Sequence, residues 1–331
     1  MNQVKIHPGY LMEMSGSFWK TCTLHAGVKL DVFTVIGRKK MSADSVADLT
    51  DTNEDGMTRL LDALSSMQLL KKEDGLYSNV SGGFDFLSKD SPGYIGYMIM
   101  HHQDIFSHWG HLDEAVKSGK NVREEPVWED DRKRENFLMG MFNIASAVAP
   151  AVADAFDLSN ETRLLDLGGG PGTYAIHFCR KNPQLNAVVY DLPGTKPFAE
   201  KTIERFSMSD RIKFVEGDFV TDDIEGTYDA AWLSHILHSS KLTQCIEIIR
   251  KAVSALKPGG IIGIHEFILK NRMDGPEFCA LFSLNMLVGT ESGRAYSEKQ
   301  IVGMLDECGV KNIERIDFSG VNDSGIICGR T

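Results

Sequence analysis

The sequence predicts an α/β fold in which an α-helical segment precedes a Rossmann-like sheet of seven strands, the last of them antiparallel. Three observations carry that reading. Apolar residues recur at three- and four-residue spacings from Phe18 to Val80, which is the helical period. After Asn160 short apolar runs alternate with amphipathic helices, as in a parallel sheet covered on both faces. The final runs, near Ile313 to Phe318 and Gly325 to Gly329, leave too little chain between them for a helical crossover and must pair as an antiparallel hairpin.

The helical period runs through Leu24, Val28, Leu30 and Val32, and again through Leu60, Leu61, Leu64 and Leu69. A helix is predicted over Ser42 to Leu49 with Ser42 as its N-cap, and a second over Asp55 to Met67. The stretch Leu69 to Tyr77 reads as a hairpin turning at Asp74-Gly75. Helix, helix, hairpin is the order of a winged helix. A DNA-reading helix needs basic residues, however, and Asp55 to Met67 offers Arg59 against Asp55 and Asp62, so dimerisation is the expected task. Ser91 to Leu158 is helical and Met-rich, with a loop marked by Gly119 and by the run Arg123 to Pro126.

The expected domains are therefore 1–100 (winged-helix-like dimerisation domain), 101–158 (connecting helical layer bordering the substrate) and 159–331 (nucleotide-binding domain). A chain of 331 residues with 42% hydrophobic content can bury ordinary globular cores. A net charge of -11 argues against binding a phosphate backbone, which Lys and Arg must neutralise. Met1 to Tyr10 lacks the basic-then-apolar pattern of a leader, and no stretch reaches the ~20 uninterrupted apolar residues of a membrane span. A soluble, cytoplasmic protein without nucleic-acid or membrane partners is expected. The cysteines (Cys22, Cys179, Cys245, Cys279, Cys308, Cys328) are scattered singly, as buried free thiols are, and no metal is implied.

The first five strands are predicted at Arg163 to Leu167, Asn186 to Asp191, Ile212 to Glu216, Tyr228 to Ser234 and Ile261 to Glu266. Between the first strand and its helix lies Asp166-Leu167-Gly168-Gly169-Gly170-Pro171-Gly172-Thr173, a tight turn whose missing side chains let a ligand approach the backbone. The Gly168, Gly170, Gly172 spacing differs from that of a dinucleotide pyrophosphate site, and no Lys-Ser/Thr follows as in a P-loop. A phosphate-free nucleoside fits better. S-adenosylmethionine is cationic at its sulfonium and ammonium and carries a ribose diol, so acids at strand ends suit it. Asp166 ends the first strand, Asp191 the second, and Asp218 follows the third in Gly217-Asp218-Phe219. Leu192, Phe219 and Ser234 complete the expected cofactor contacts.

Reactive groups in open α/β sheets gather beyond the carboxyl ends of the strands. His238 lies just past the fourth strand and Glu266 ends the fifth, its neighbour in the expected topology. Methyl transfer to a phenol needs an oxygen that is deprotonated and aimed at the sulfonium methyl. A histidine oriented by a carboxylate suits both tasks. His238 is the expected base, held by Glu266. His235, one turn earlier, is a rival, and His265 should point to the opposite face of the sheet.

From Phe18 to Thr331 the chain resembles the plant-type and bacterial small-molecule O-methyltransferases, the class I family that includes hydroxyindole and caffeate-type enzymes. Leu165 to Thr173 is similar to the family's glycine motif, Asp191-Leu192-Pro193 to its ribose motif and Gly217-Asp218-Phe219 to its adenine motif. Phe137 and Met141 resemble the Phe-x-x-x-Met that covers cofactor and substrate, and the His238-to-Glu266 interval is that of the family's catalytic His and supporting Glu. The resemblance implies an S-adenosylmethionine-dependent homodimer that methylates a hydroxyl of a small aromatic or natural-product-like acceptor. Two positions depart from it. Ser239-Ser240 replaces the Asp-Trp that follows the family's His, and Ala295 stands where a second Glu is expected, with Glu291 nearby. C- or N-methylation, or a hydroxylase-like reaction on the same scaffold, remains an alternative.

His101, Asp104, His108 and His111 recur at helical spacing beside a stripe of Ile105, Trp109, Leu112 and Val116. The apolar stripe is expected to be core. Part of the histidine stripe, His108 and His111, is expected to border the substrate.

Overall fold

The computed structural model describes residues 6–122, 130–318 and 320–331. The chain divides into two compact units between Asp104 and Ile105. The loop expected at Arg123 to Pro126 lies outside the described residues.

The first unit opens with α1 (Pro8–Gly16), α2 (Phe18–Lys29) and α3 (Val32–Ile36), followed by α4 (Ala43–Thr50) and α5 (Glu54–Ser66). A two-stranded antiparallel hairpin of β1 (Leu70–Glu73) and β2 (Leu76–Asn79) comes next, and then α6 (Ser81–Leu87). The helix, helix, hairpin order is the one expected. Asn53 caps α5 through its side-chain oxygen, which accepts from the Gly56 amide, and the hairpin turns on Asp74 and Gly75, both at positive φ. Ser42 occupies the N-cap position of α4, but its hydroxyl pairs with that of Ser45 instead of a backbone amide. Val28, Phe33, Ile36, Met57, Leu61 and Leu64 form the core.

Helix α7 (Gly96–Trp109) runs across the boundary between the units. It stops at Trp109, and α8 (Leu112–Ser118) starts after a break at Gly110-His111, where His111 takes non-helical angles. This corrects the expectation of one continuous stripe from His101 to His111. The apolar stripe is not core either: Ile105, Trp109 and Leu112 are half-buried and Val116 is exposed.

Helix α9 (Asp131–Ala155) is long and apolar enough by length and composition to cross a membrane. Its Val148, Ala149, Val152 and Ala153 bury in a core that also holds residues of the next helix. The sheet follows: β3 (Arg163–Leu167), α10 (Thr173–Lys181), β4 (Asn186–Asp191), α11 (Lys196–Arg205), β5 (Ile212–Glu216), β6 (Tyr228–Ser234), α12 (Leu242–Ser254) and β7 (Leu256–Phe267). It ends with α13 (Glu277–Gly289), α14 (Glu298–Glu307), β8 (Lys311–Arg315) and β9 (Ser324–Arg330).

The seven strands lie in the order β5-β4-β3-β6-β7-β9-β8. β3, β4, β5, β6 and β7 are parallel, and β9 inserts antiparallel between β7 and β8. The strand next to last is Lys311–Arg315, earlier than the Ile313 to Phe318 expected, since the apolar Ile316 and Phe318 pack against the core from beyond the strand's end. β7 is also longer than expected, beginning at Leu256. Helices α12 and α14 cover one face of the sheet through Ile248, Ile249, Ile301 and Leu305. Helices α9, α10 and α11 cover the other through Val152, Phe178 and Ile203. All six cysteines are free thiols, but Cys22 is exposed and Cys308 half-buried, against the expectation that all are buried.

Candidate active site

The glycine turn joins β3 to α10. Gly168, Gly170 and Gly172 all adopt positive φ, at 65°, 54° and 77°, where an L side chain is strained. The three differ in their surroundings. A Cβ on Gly168 would meet Ile236 Cγ2 at 2.5 Å, whereas one on Gly170 would meet nothing within 4 Å. Gly168 is thus pressed against the protein, while Gly170 faces open space that a ligand can fill. No Lys or Arg occurs from Leu164 to Phe178, so the turn offers no cation for a phosphate.

Asp166 is fully buried beneath this turn. Its Oδ2 accepts from the Ala175 amide at 3.1 Å, and its Oδ1 has no hydrogen-bond partner. Burial pushes the carboxyl up to about 7, against the Ala175 N–H and with the nearby Asp191 adding to the rise. An orphaned carboxylate oxygen under a glycine cradle suits a cationic nucleoside. At the end of β4, Asp191 is also buried, and burial raises its pKa while three donors oppose the rise. Its Oδ2 accepts from the Gly170 amide at 2.8 Å, and its Oδ1 from the Leu192 amide and the Thr195 hydroxyl. The ribose-motif acid therefore braces the glycine turn directly. Asp218, past β5, accepts from the Val220 amide, and Phe219 lies against Gly168.

β6 and β7 pair in parallel with Ser234 opposite His265, which sets Glu266 one residue beyond the pairing. His238 sits in the short turn Leu237–Ser239 that follows β6. Its Nδ1 is 2.9 Å from Glu266 Oε2; a carboxylate only accepts, so the imidazole donates. The Leu237 and His238 amides donate to Oε1 at 3.0 and 3.3 Å, and the carboxylate is locked from both sides. Burial alone would raise the Glu266 pKa, but His238 and His235 facing it hold it well below the usual carboxylate range. His235 takes a left-handed conformation at φ 56°, with Nδ1 3.6 Å from the same Oε2.

His265 points away from Glu266, as alternation along a strand requires. It is buried between Ser234 Oγ and Ser324 Oγ, each 3.0 Å from a ring nitrogen, and stacks on Trp232. Desolvation keeps it neutral, well below the ordinary histidine range. Ser234, expected at the cofactor, is engaged by this buried histidine.

Of the residues expected at the substrate, Phe137 and Met141 are half-buried on α9, and His108 is half-buried near the end of α7. His111 is exposed, with its Nδ1 3.3 Å from Glu114. Ala295 is buried beside Leu269 and Cys279, while Glu291 is exposed. Ser239 bonds the Ile236 carbonyl, and Ser240 is buried with its carbonyl accepting from Tyr296.

Sequence reasoning missed an aromatic wall. Phe282 meets His238 edge to face at 4.8 Å, and Phe267 lies 4.7 Å from Phe282 and 5.0 Å from Phe278. The signal was available in the chain: Phe267 directly follows Glu266, and Phe278 and Phe282 share a face of α13 at i, i+4 spacing.

Residues 109–311 match the model of the O-methyltransferase domain, and residues 12–88 match that of the O-methyltransferase dimerisation domain. The chain is 30% identical to a 3-hydroxy-5-methyl-1-naphthoate 3-O-methyltransferase of Streptomyces sahachiroi, over 97% of this chain and 95% of that one. It is 29% identical to the acetylserotonin O-methyltransferase of Gallus gallus, over 93% of each. The crystal structure of human N-acetylserotonin methyltransferase in complex with S-adenosylmethionine superposes with a TM-score of 0.88 at 26% identity, over 100% of this chain and 99% of that one. With the glycine turn, the strand-end acids and the His238–Glu266 pair in one sheet, the chain belongs to the S-adenosylmethionine-dependent O-methyltransferase family.

Proposed function

We propose that this protein methylates a hydroxyl of a small aromatic or natural-product-like acceptor, with His238 as general base and Glu266 as its positioning residue. The observation that carries the proposal is the 2.9 Å contact between His238 Nδ1 and a carboxylate whose other oxygen is pinned by two backbone amides. With the proton held on Nδ1, the lone pair falls on Nε2, which is free to take the acceptor's hydroxyl proton. S-adenosylmethionine supplies an electrophilic methyl on a sulfonium. Asp166, Gly168, Gly170, Gly172, Asp191, Leu192, Asp218, Phe219 and Ser234 are the residues assigned to hold it. Phe267, Phe278 and Phe282 offer ring edges and faces to a flat acceptor and help exclude water from the base. Phe137, Met141, His108 and His111 are assigned to the acceptor's surroundings.

The first unit is assigned as a winged-helix homodimerisation domain, and the enzyme as cytoplasmic, without nucleic-acid or membrane partners. Titration calorimetry with S-adenosylmethionine and turnover on a panel of phenols test the reading. His238→Ala is expected to retain cofactor binding and lose about 100-fold or more in turnover. Normal turnover in that variant removes His238 as the base. Product NMR locates the methyl, and a C- or N-methyl product overturns the hydroxyl assignment.

A further inference from the structure

We propose that His235, His238 and Glu266 form a binding site for a divalent cation of the zinc class, and that a cation bound there silences the base. One ligand atom from each of the three lies within 4.8 Å of the others. Two imidazoles and one carboxylate are a known zinc donor set, with the fourth tetrahedral position left to water. Zinc–nitrogen and zinc–oxygen bonds of about 2.0–2.1 Å place tetrahedral donors roughly 3.3 Å apart. The two distances from Glu266 Oε2 to the imidazoles, 2.9 Å for His238 Nδ1 and 3.6 Å for His235 Nδ1, bracket that value. The two imidazole donors lie farther apart, within 4.8 Å, so a side-chain movement of about 1–1.5 Å would complete the set.

Two further observations support capture of a cation. His235 Nδ1 is shielded from solvent and makes no hydrogen bond, although it is aimed at Glu266. Its residue is held there by a left-handed backbone and by a hydrogen bond that its backbone N–H donates to the His265 carbonyl at 2.9 Å. Glu266, for its part, spends Oε1 on the Leu237 and His238 amides and turns Oε2 toward both rings. Such support around a donor is what fixes the orientation of a ligating carboxylate.

The consequence for His238 follows from its tautomer. A cation on Nδ1 moves the ring proton to Nε2, the nitrogen that must accept the acceptor's proton, so the metal-bound form has no base to offer. Binding stands on the geometry alone; its inhibitory effect rests on the assignment of His238 as base. The two are separable by experiment. The full-length protein is stripped with a chelator and titrated with Co²⁺ as a tetrahedral probe, then with Zn²⁺ against a chromophoric chelator. One tight equivalent with the visible bands of tetrahedral cobalt is expected, weakened about tenfold or more by His235→Ala and by Glu266→Gln and unchanged by His111→Ala. Circular dichroism checks the fold of each variant, and His235→Asn replaces His235→Ala if the latter fails to fold. Absence of tetrahedral cobalt bands, or binding unaffected by both His235 and Glu266 substitutions, overturns the site. Zinc binding with undiminished turnover upholds the site and removes His238 as base.

Discussion

Glu266 Oε2 lies 2.9 Å from Nδ1 of His238, a residue 28 positions earlier in the chain. Parallel pairing of β6 with β7 is what brings them together. Glu266→Gln keeps an acceptor for the Leu237 and His238 amides but sets an NH₂ against Nδ1. That favours the tautomer with its proton on Nε2, the wrong nitrogen for a base. Turnover is expected to fall about 10²–10⁴-fold with little change in cofactor affinity, as steady-state kinetics and calorimetry on one preparation would show. Wild-type kinetics in this variant would remove Glu266 from the mechanism.

Asp166 makes the free enzyme's stability depend on pH. Its folded pKa is raised to about 7, so between about pH 4 and 7 the folded chain holds a proton that the unfolded chain has released. This contribution is full below about pH 4 and is lost as the pH rises through 7. Asp166→Asn removes the decline. Urea unfolding is expected to show the variant's gain over the wild type growing by about 3 kcal/mol from pH 5 to pH 8, at about 1.4 kcal/mol per unit. Asp191 is raised in the same sense and is coupled to Asp166, so the difference reads Asp166 together with its effect on Asp191.

The glycines of the turn are expected to separate stability from binding. Gly168→Ala adds a methyl 2.5 Å from Ile236 Cγ2 at positive φ, at a cost of about 2–5 kcal/mol for strain and overpacking together. Gly170→Ala meets open space, so its cost is the backbone strain of about 1–2 kcal/mol, while its methyl intrudes on the ligand's side of the turn. Thermal melts with calorimetry should therefore show a large loss of Tm in the first and a loss of cofactor affinity in the second. Unaltered affinity in a folded Gly170→Ala protein would place the cofactor elsewhere.

Helices α1 and α2 expose Leu11, Met12, Met14, Phe18 and Trp19, with Met12 at 71% and Trp19 at 70%. An apolar strip of this kind on the dimerisation domain marks an interface. Light scattering after gel filtration should give a dimer for the wild type and a monomer for Met12→Glu combined with Trp19→Glu. A monomeric wild-type protein refutes the assignment.

Much of the sheet was legible because each strand is a short apolar run closed by a turn residue, and Arg163–Leu167, Asn186–Asp191, Ile212–Glu216 and Tyr228–Ser234 fall where the sequence puts them. The histidine stripe was not. Helical spacing from His101 to His111 says nothing of the break at Gly110, where α7 ends. The strand Lys311–Arg315 was shifted for a related reason. Its own residues are mostly polar, and the apolar Ile316 and Phe318 beyond it drew the reading toward them. The aromatic wall escaped because Phe278 and Phe282 on an apolar helix look like core until α13 is seen beside His238.

The sequence by itself determined the helical character of the first segment, the antiparallel last strand and the glycine turn with its acids, because periodicity, loop length and glycine spacing are local properties of the chain. It also named His238 and Glu266 as partners. Only the tertiary structure decided how the carboxylate is shared. Two backbone amides take one oxygen and two imidazoles face the other, an arrangement set by the register of β6 on β7 and by the left-handed turn at His235. Neither is written in spacing. The same holds for Asp166, whose place at the end of a strand is legible but whose complete burial depends on what the glycine turn and α10 lay over it.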